Sequence, residues 1–223
     1  MTNVSTPANF ISQTDVIIKL AIEKLMKLIL SLLFLSLMFV QSACAVFDSQ
    51  TESREVEPFS ALRISGLTEV IITQGDQHKL VVKVSGIPIT DVITKVKNGT
   101  LVITTQGFHR GESVLVFVNY HQLNSISTSG SAELTGTNIL NTHKMMITTD
   151  GAGDIKNLAI KADTLTVSIN GSGNANLDVE VKNLDIEMNG AGNLNIQGIA
   201  NQQNIRSNSS RGTLSNAYLD YSK

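Results

Sequence analysis

From Pro58 onward the chain is built of short apolar runs separated by Gly, Asn, Asp and Ser, and no window carries a 3.6-residue period. The runs predict strands at Ala61–Ser65, Val70–Thr73, Leu80–Val84, Val92–Val96, Leu101–Thr105 and Val114–Asn119. Leu80, Val82 and Val84 alternate with Lys79, Val81 and Lys83, the pattern of a strand with one buried face. Asn98-Gly99 lies between two runs and predicts a tight hairpin turn. The last proline is Pro88, so nothing downstream interrupts strand pairing through a missing N–H.

The second half repeats itself. ISTSGSAEL begins at Ile126, ITTDGAGDI at Ile147, VSINGSGNA at Val167, IEMNGAGNL at Ile186, and a weaker IRSNSSRGTL at Ile205. The starts are 21, 20, 19 and 19 residues apart. A fixed period of this size signals stacked copies of one unit that cannot bury its apolar face alone. Ile126, Ile147, Val167, Ile186 and Ile205 form a β-branched column, and Leu134, Ile155, Ala175 and Leu194 a second one. Both columns are expected to point inward.

Gly130, Gly151, Gly171 and Gly190 lie between the columns, followed by Gly153, Gly173 and Gly192. These glycines are expected at corners, where positive φ or close backbone approach is needed. Ser129, Asp150, Asn170, Asn189 and Asn208 precede the corner, where short polar side chains satisfy turn backbone. The predicted fold is all-β, a parallel β-solenoid (β-helix-like) with coils of about 20 residues, roughly eight of them. Pro58–Leu62 is expected to close one end and Tyr218, Leu219 and Tyr221 the other.

The N-terminal segment has a different texture. Leu28–Val40 reads LILSLLFLSLMFV, too short for a spanning helix of about 20 residues but fitting a secretory h-region of roughly 7–15. Lys24 and Lys27 precede it, and Ala43-Cys44-Ala45 gives a small-x-small cleavage site. The expectation is a signal peptide over 1–45, cleaved after Ala45. Met26 starts a compact signal by itself, which makes 1–25 an upstream extension. Cys44 is the alternative, as a lipidated N-terminal cysteine, although Gln41 stands where an aliphatic residue is usual. An uncleaved short anchor is the remaining reading. A polar linker over 46–56 then leads into a single domain over 57–220.

Composition narrows the function. Lys plus Arg is 17 and Asp plus Glu 19, giving a net charge of −2, so no basic surplus favours nucleic acid or an anionic membrane surface. The single cysteine excludes an intrachain disulfide or a multi-Cys zinc site, and its removal with the signal would suit an oxidising compartment. Cofactors are not implied. His78, His109, His121 and His143 form no ligand motif and read as separate loop histidines. There is no G-x-S-x-G elbow, and GAGDI and GAGNL continue into strands where a dinucleotide fingerprint would open a helix.

Three patterns carry candidate chemistry. Asp150 and Asp154 flank a corner, and the column Glu133, Asp154, Asn174, Asn193 is polar throughout. Calcium needs six to eight oxygen ligands, so a ladder of turn side chains is the main reading and a calcium-stabilised module the lesser one. Asp163, Asp178, Asp185 and Glu187 add carboxylates for a glycan-cleaving pair, without accompanying aromatics between Ile126 and Ser209. Lys79, Lys83, Lys95 and Lys97 are nearly balanced by Glu57, Glu69, Asp76, Asp91 and Glu112, as on a solvated face.

FSALRISGLTEVIITQG from Phe59, KLVVKVSG from Lys79, NGTLVITTQ from Asn98 and the spaced GSA, GAG, GSG and GAG corners together resemble the putative auto-transporter adhesin head GIN domain family. The resemblance covers about Glu57 to Tyr218. It implies an exported bacterial protein with a β-solenoid-like fold and no agreed catalytic residues. About a dozen residues follow the repeats, short of a membrane barrel.

The functional expectation is an exported, non-catalytic structural or interaction domain of the cell envelope, adhesin-like, in the periplasm, at the envelope or outside the cell. The sequence names no partner; a surface glycan or a protein would fit the reading. Membrane attachment would follow only from lipidated Cys44 or an uncleaved signal. Self-association through an exposed end coil is a further expectation. The alternatives are a glycan-binding or glycan-processing β-helix and the calcium-stabilised module.

Overall fold

A computed structural model describes residues 20–29, 49–107, 111–208 and 211–220, the last five as backbone. The chain divides into two units, 1–46 and 47–223. In the first, 20–29 is helical with exposed side chains, including Met26. No described helix is long and apolar enough to cross a membrane. The cleavage residues Ala43, Cys44 and Ala45 lie outside the described residues, as do His109 and Tyr221.

The second unit is all-β, with one short 3₁₀ turn at Ile89–Asp91. Its strands are β1 (Gln50–Arg54), β2 (Ala61–Gly66), β3 (Glu69–Gln74), β4 (Lys79–Ser85), β5 (Val92–Lys97), β6 (Thr100–Thr105) and β7 (Ser113–Tyr120). They continue as β8 (Ser125–Gly130), β9 (Glu133–Gly136), β10 (Leu140–Thr149), β11 (Ile155–Ile169), β12 (Ala175–Met188), β13 (Leu194–Ser207) and β14 (Leu214–Asp220). All belong to one 14-stranded sheet, curled like half a barrel.

The apolar runs form strands because alternate residues reach the inside of the curl. In β4, Leu80, Val82 and Val84 are buried while Lys79, Lys83 and Ser85 face out. In β7, Val114, Val116, Val118 and Tyr120 are buried on the same rule. Burial pushes the Tyr120 hydroxyl well above its ordinary pKa.

The repeat columns line up in space. Ile126 pairs with Ile147, Ile147 with Val167, Val167 with Ile186 and Ile186 with Ile205, all in parallel ladders. The first four are buried and Ile205 is half-buried against them. Leu134, Ile155, Ala175 and Leu194 make the second row, also in register. Both rows join one core. Parallel stacking at an offset of 19 to 21 residues, with one register shift at Asn157 between β11 and β12, lets β11, β12 and β13 run to 15, 14 and 14 residues. The ladder resumes in the same register beyond His143, Asp163 and Lys182, so each strand remains one element.

The first half departs from uniform parallel pairing. β4 pairs antiparallel with both β1 and β7, and β5 antiparallel with β6. Asn98 (φ 51°) and Gly99 (φ 70°) make the β5–β6 turn, with the two left-handed residues of a type I′ hairpin. Chain order and spatial order also part. β2 lies between β6 and β8, and β3 between β7 and β9. Arg54, largely buried, ties β1 to the β5 region. Its guanidinium donates to the Ile89 carbonyl (2.9 Å), the Val92 carbonyl (2.5 Å) and Thr94 Oγ1 (3.0 Å), and pairs with Glu52 (2.8 Å).

Candidate functional site

From Asp150 and Asp154 onward, the corner residues of the repeats meet their counterparts on the neighbouring strand. Asn170 Nδ2 donates to Asp150 Oδ1 (2.9 Å), Asn189 Nδ2 to Asn170 Oδ1 (3.2 Å) and Asn208 Nδ2 to Asn189 Oδ1 (3.0 Å). On the far side of the corner, Asn174 donates through its backbone N–H and Nδ2 to Asp154 Oδ1 (2.8 and 3.0 Å). Asn193 Nδ2 donates in turn to Asn174 Oδ1 (2.8 Å), and Thr213 to Asn193 Oδ1. Every amide donates towards the N-terminal end of the stack. A side chain with accepting oxygens therefore suits the first rung, and an aspartate occupies it in both ladders.

The glycines between the ladders stack backbone on backbone. A Cβ on Gly151 would sit 2.2 Å from the Gly130 carbonyl oxygen, one on Gly171 1.9 Å from that of Gly151, and one on Gly190 1.8 Å from that of Gly171. Gly153, Gly173 and Gly192 repeat the pattern against Ala132, Gly153 and Gly173. Positive φ is confined to Gly130 among these positions (72°). For the others, the requirement is room for the neighbouring coil. Gly66 belongs to the same column, paired with Gly130. ISG at Ile64 echoes TSG at Thr128, a signal too short to stand out without the register.

The ladders bear on the calcium reading. Asp150 Oδ1 and Asp154 Oδ1 each accept from an asparagine, and among the described residues no group of three or more His, Cys, Asp or Glu is placed to hold a metal.

A second arrangement arises where β10–β13 bend. Asn141, Lys161, Glu180 and Ile199 follow one another from strand to strand, with the inward Thr142, Ala162, Val181 and Ala200 beside them. Two residues further on in each strand come His143, Asp163, Lys182 and Asn201. An open groove of about 670 Å³ runs over these positions, with Gln122 at its edge. Its charges alternate and are paired. Lys161 Nζ meets Glu180 Oε1 (2.5 Å), Lys182 Nζ meets Asp163 Oδ1 (2.6 Å), and His143 Nδ1 meets Asp163 Oδ2 (2.9 Å). Hydrogen bonds from Lys182 and then His143 lower the Asp163 pKa below its ordinary value. That is the opposite of what a proton-donating carboxylic acid in glycoside hydrolysis needs.

Towards the first half, Gln74 at the end of β3 stitches the groove's neighbourhood together. Its Nε2 donates to the His121 and Asn141 carbonyls (3.0 and 3.1 Å), and its Oε1 accepts from the Asn141 N–H (2.7 Å). The Asn138 amide completes the Gln74 backbone by accepting its N–H (2.9 Å) and donating to its carbonyl (2.8 Å). This set draws on residues 64 and 67 apart in the chain, which no local spacing reveals.

The histidines are less isolated than their spacing suggests. His143 engages Asp163, and His78 packs on Phe59 with ring centroids 4.7 Å apart. Burial, and then the nearby His121, lower the His78 pKa. Lys79 and Lys83 stand on β4 and Lys95 and Lys97 on β5, so the four lysines divide between two strands that do not pair. Lys83 Nζ lies over the Phe117 ring, 5.1 Å from its centroid.

Comparison with known proteins adds the following. The profile of the family described as "Putative auto-transporter adhesin, head GIN domain" matches residues 58–220. Curated proteins give no match. Among solved structures, one titled a putative lipid binding protein from Parabacteroides distasonis is 14% identical, with a TM-score of 0.54 over 78% of this chain and 97% of that one. A putative adhesin from Parabacteroides merdae is 16% identical, with a TM-score of 0.47 over 75% of this chain and 95% of that one. A putative adhesin from Bacteroides fragilis is 15% identical, with a TM-score of 0.47 over 76% and 97%. At these identities the first likeness concerns the fold alone.

Proposed function

We propose, on the premise that the chain belongs to the putative auto-transporter adhesin head GIN domain family, that it is an exported interaction module of the cell envelope, adhesin-like and non-catalytic. In this reading residues 125–220 are a parallel β-solenoid, 1–45 is a signal cleaved after Ala45, and 46–56 is a linker. The corner glycines serve to let the coils approach.

The observation that carries the reading is that the polar side chains of the repeats are spent on one another. Asp150, Asp154 and the asparagines form ladders, and the groove's lysines and carboxylates form ion pairs. A catalytic site keeps an acid, base or nucleophile poised for a substrate. A scaffold uses the same groups to hold a flat polar surface in one shape. The lipid-binding title of the Parabacteroides distasonis protein does not transfer readily. The groove over β10–β13 is open and edged by ion-paired lysines and carboxylates, whereas small-molecule sites enclose most of their ligand.

Cell fractionation with N-terminal sequencing of the mature protein tests the proposal. The expected result is an envelope or extracellular chain starting at Val46. A blocked chain starting at a lipidated Cys44 would keep the export reading and change the attachment. A cytosolic chain retaining the segment after Met26 would overturn it.

A further inference from the structure

The groove over the bends of β10–β13 does not end at Asn141. A second depression, bordered by Gln74, Asp76, Asn138 and Ile139, shares Gln122 and Asn141 with it. A third, beside Phe59 and His78, shares Gln122 and His121 with the second. Gln122 borders all three, so the depressions adjoin one another as a shallow trough.

We propose that this trough binds a linear, uncharged glycan lying across the strands, with its main contacts at Lys161, Asp163, Glu180, Lys182 and Ile199. The inference rests on the interaction reading above and gives it a ligand class and a place.

Charge carries the first part of the argument. Lys161 and Lys182 balance Glu180 and Asp163, and each is already ion-paired within the groove. An anionic or cationic polymer would have to displace one partner and leave the other uncompensated. A hydroxyl avoids that conflict, because it donates to a carboxylate and accepts from an ammonium at once. Donor and acceptor alternate along both edges of the groove, as a polyhydroxyl chain requires. The amides of Gln122 and Asn141 extend the same dual character along the trough.

Shape and apolarity carry the second part. Ala162 and Val181 lie between the two charged edges, and Ile199 is 42% exposed at one end. Sugar rings present apolar C–H faces as well as hydroxyls, so the exposed face of Ile199 beside the polar groups suits them, while the buried Ala162 and Val181 add little area. Adjacent strands are about 4.8 Å apart, so four of them offer an extended chain a repeating set of contacts over about 14 Å. The repeat in the protein thus meets a repeat in the ligand.

The test is titration of the purified full chain with three soluble probes, followed by calorimetry and saturation-transfer NMR. The probes are neutral linear hexose oligomers, oligouronates and chitosan oligomers. The neutral oligomers are expected to bind. Ile199→Arg, which places a long charged side chain in the groove from an exposed position, should weaken that binding about tenfold or more, equivalent to about 1.4 kcal/mol. The double variant Lys161→Gln/Glu180→Gln keeps the charge neutral and removes one ion pair; a loss of several-fold is expected. Lys95→Gln on β5 should leave binding unchanged. The proposal is overturned if only the charged oligomers bind, if none bind, or if both groove variants bind neutral oligomers as the parent does. Those results would leave the export reading standing, and a cytosolic location would leave the titration unaffected.

Discussion

The two halves of the β unit use similar apolar runs to different ends. From β10 to β14 each strand pairs with the next in the chain, and β8 and β9 pair with β10 and β11, always in parallel and 19 to 21 residues on, so the sequence period is the spatial period. In β1–β7 the order is shuffled, and antiparallel pairs join parallel ones. The contrast shows what repetition does. When the same residue recurs at a fixed offset, one register satisfies glycine, asparagine and isoleucine together, and shifting it by one residue would turn each inward column outward. Where no residue recurs, apolar strands specify burial but leave the partner open. The partner is then settled by turns such as Asn98-Gly99 and by long-range ties such as Arg54.

Glycine substitutions should separate the halves most sharply. Gly171→Ala forces a Cβ to within 1.9 Å of the Gly151 carbonyl oxygen, so adjacent coils must part. A loss of about 3 kcal/mol or more is expected in urea denaturation, the range of severe backbone and packing defects. Gly99→Ala in the first half meets only Ser60 Oγ at 4.0 Å and carries the left-handed φ alone, for about 1 kcal/mol. Equal costs at the two sites would remove close approach as the reason for the repeat glycines.

Arg54→Met tests the long-range tie. It removes charge-assisted hydrogen bonds to two carbonyls and a hydroxyl, and about 2 kcal/mol is expected. Hydrogen exchange should localise the increase to β1 and β5, leaving β10–β12 protected. Uniform loss of protection would mean that the halves do not behave as distinct regions.

Two milder variants probe the ladders and the row beneath them. Asn170→Ala breaks a ladder in its middle, and about 1 kcal/mol of destabilisation is expected. Thr149 is buried between Thr128 and Ile169, and its hydroxyl has no hydrogen-bond partner. Thr149→Val should therefore raise the midpoint of urea denaturation, for a gain in stability of about 1 kcal/mol at most. A fall would show that the hydroxyl is satisfied in solution.

The smallest effect is on pH dependence. The folded-state pKa of His78 lies below its ordinary 6.5, because burial and His121 disfavour the charged ring. As the pH falls through about 6.5 the unfolded chain takes up a proton that the folded chain does not, so stability declines towards the folded pKa. His78→Phe should flatten the melting temperature between pH 7.5 and 5.5. Asp163 acts in a separate window. Lys182 and His143 hold it ionised, and its contribution is lost only as the pH falls below 3.8 through its lowered pKa.

Much of this architecture was legible in the residues. The strands of both halves follow from period-2 alternation, and the inward columns follow from β-branched residues recurring at one offset. The corner asparagines were legible as turn residues. Their joining into ladders follows only once the coils are stacked, because each amide's partner is some 20 residues away. The groove was not legible. Asp163 reads in sequence as one of several separate carboxylates and His143 as a loop histidine, and no pattern marks Lys161, Glu180 or Lys182. A bend in four adjacent strands brings them together and pairs them. Periodicity is a local property that one chain segment can display. The order of β2 and β6, the clamp at Arg54 and the trough past Gln122 depend on contacts between segments whose separation no repeat encodes, so only the assembled sheet decides them.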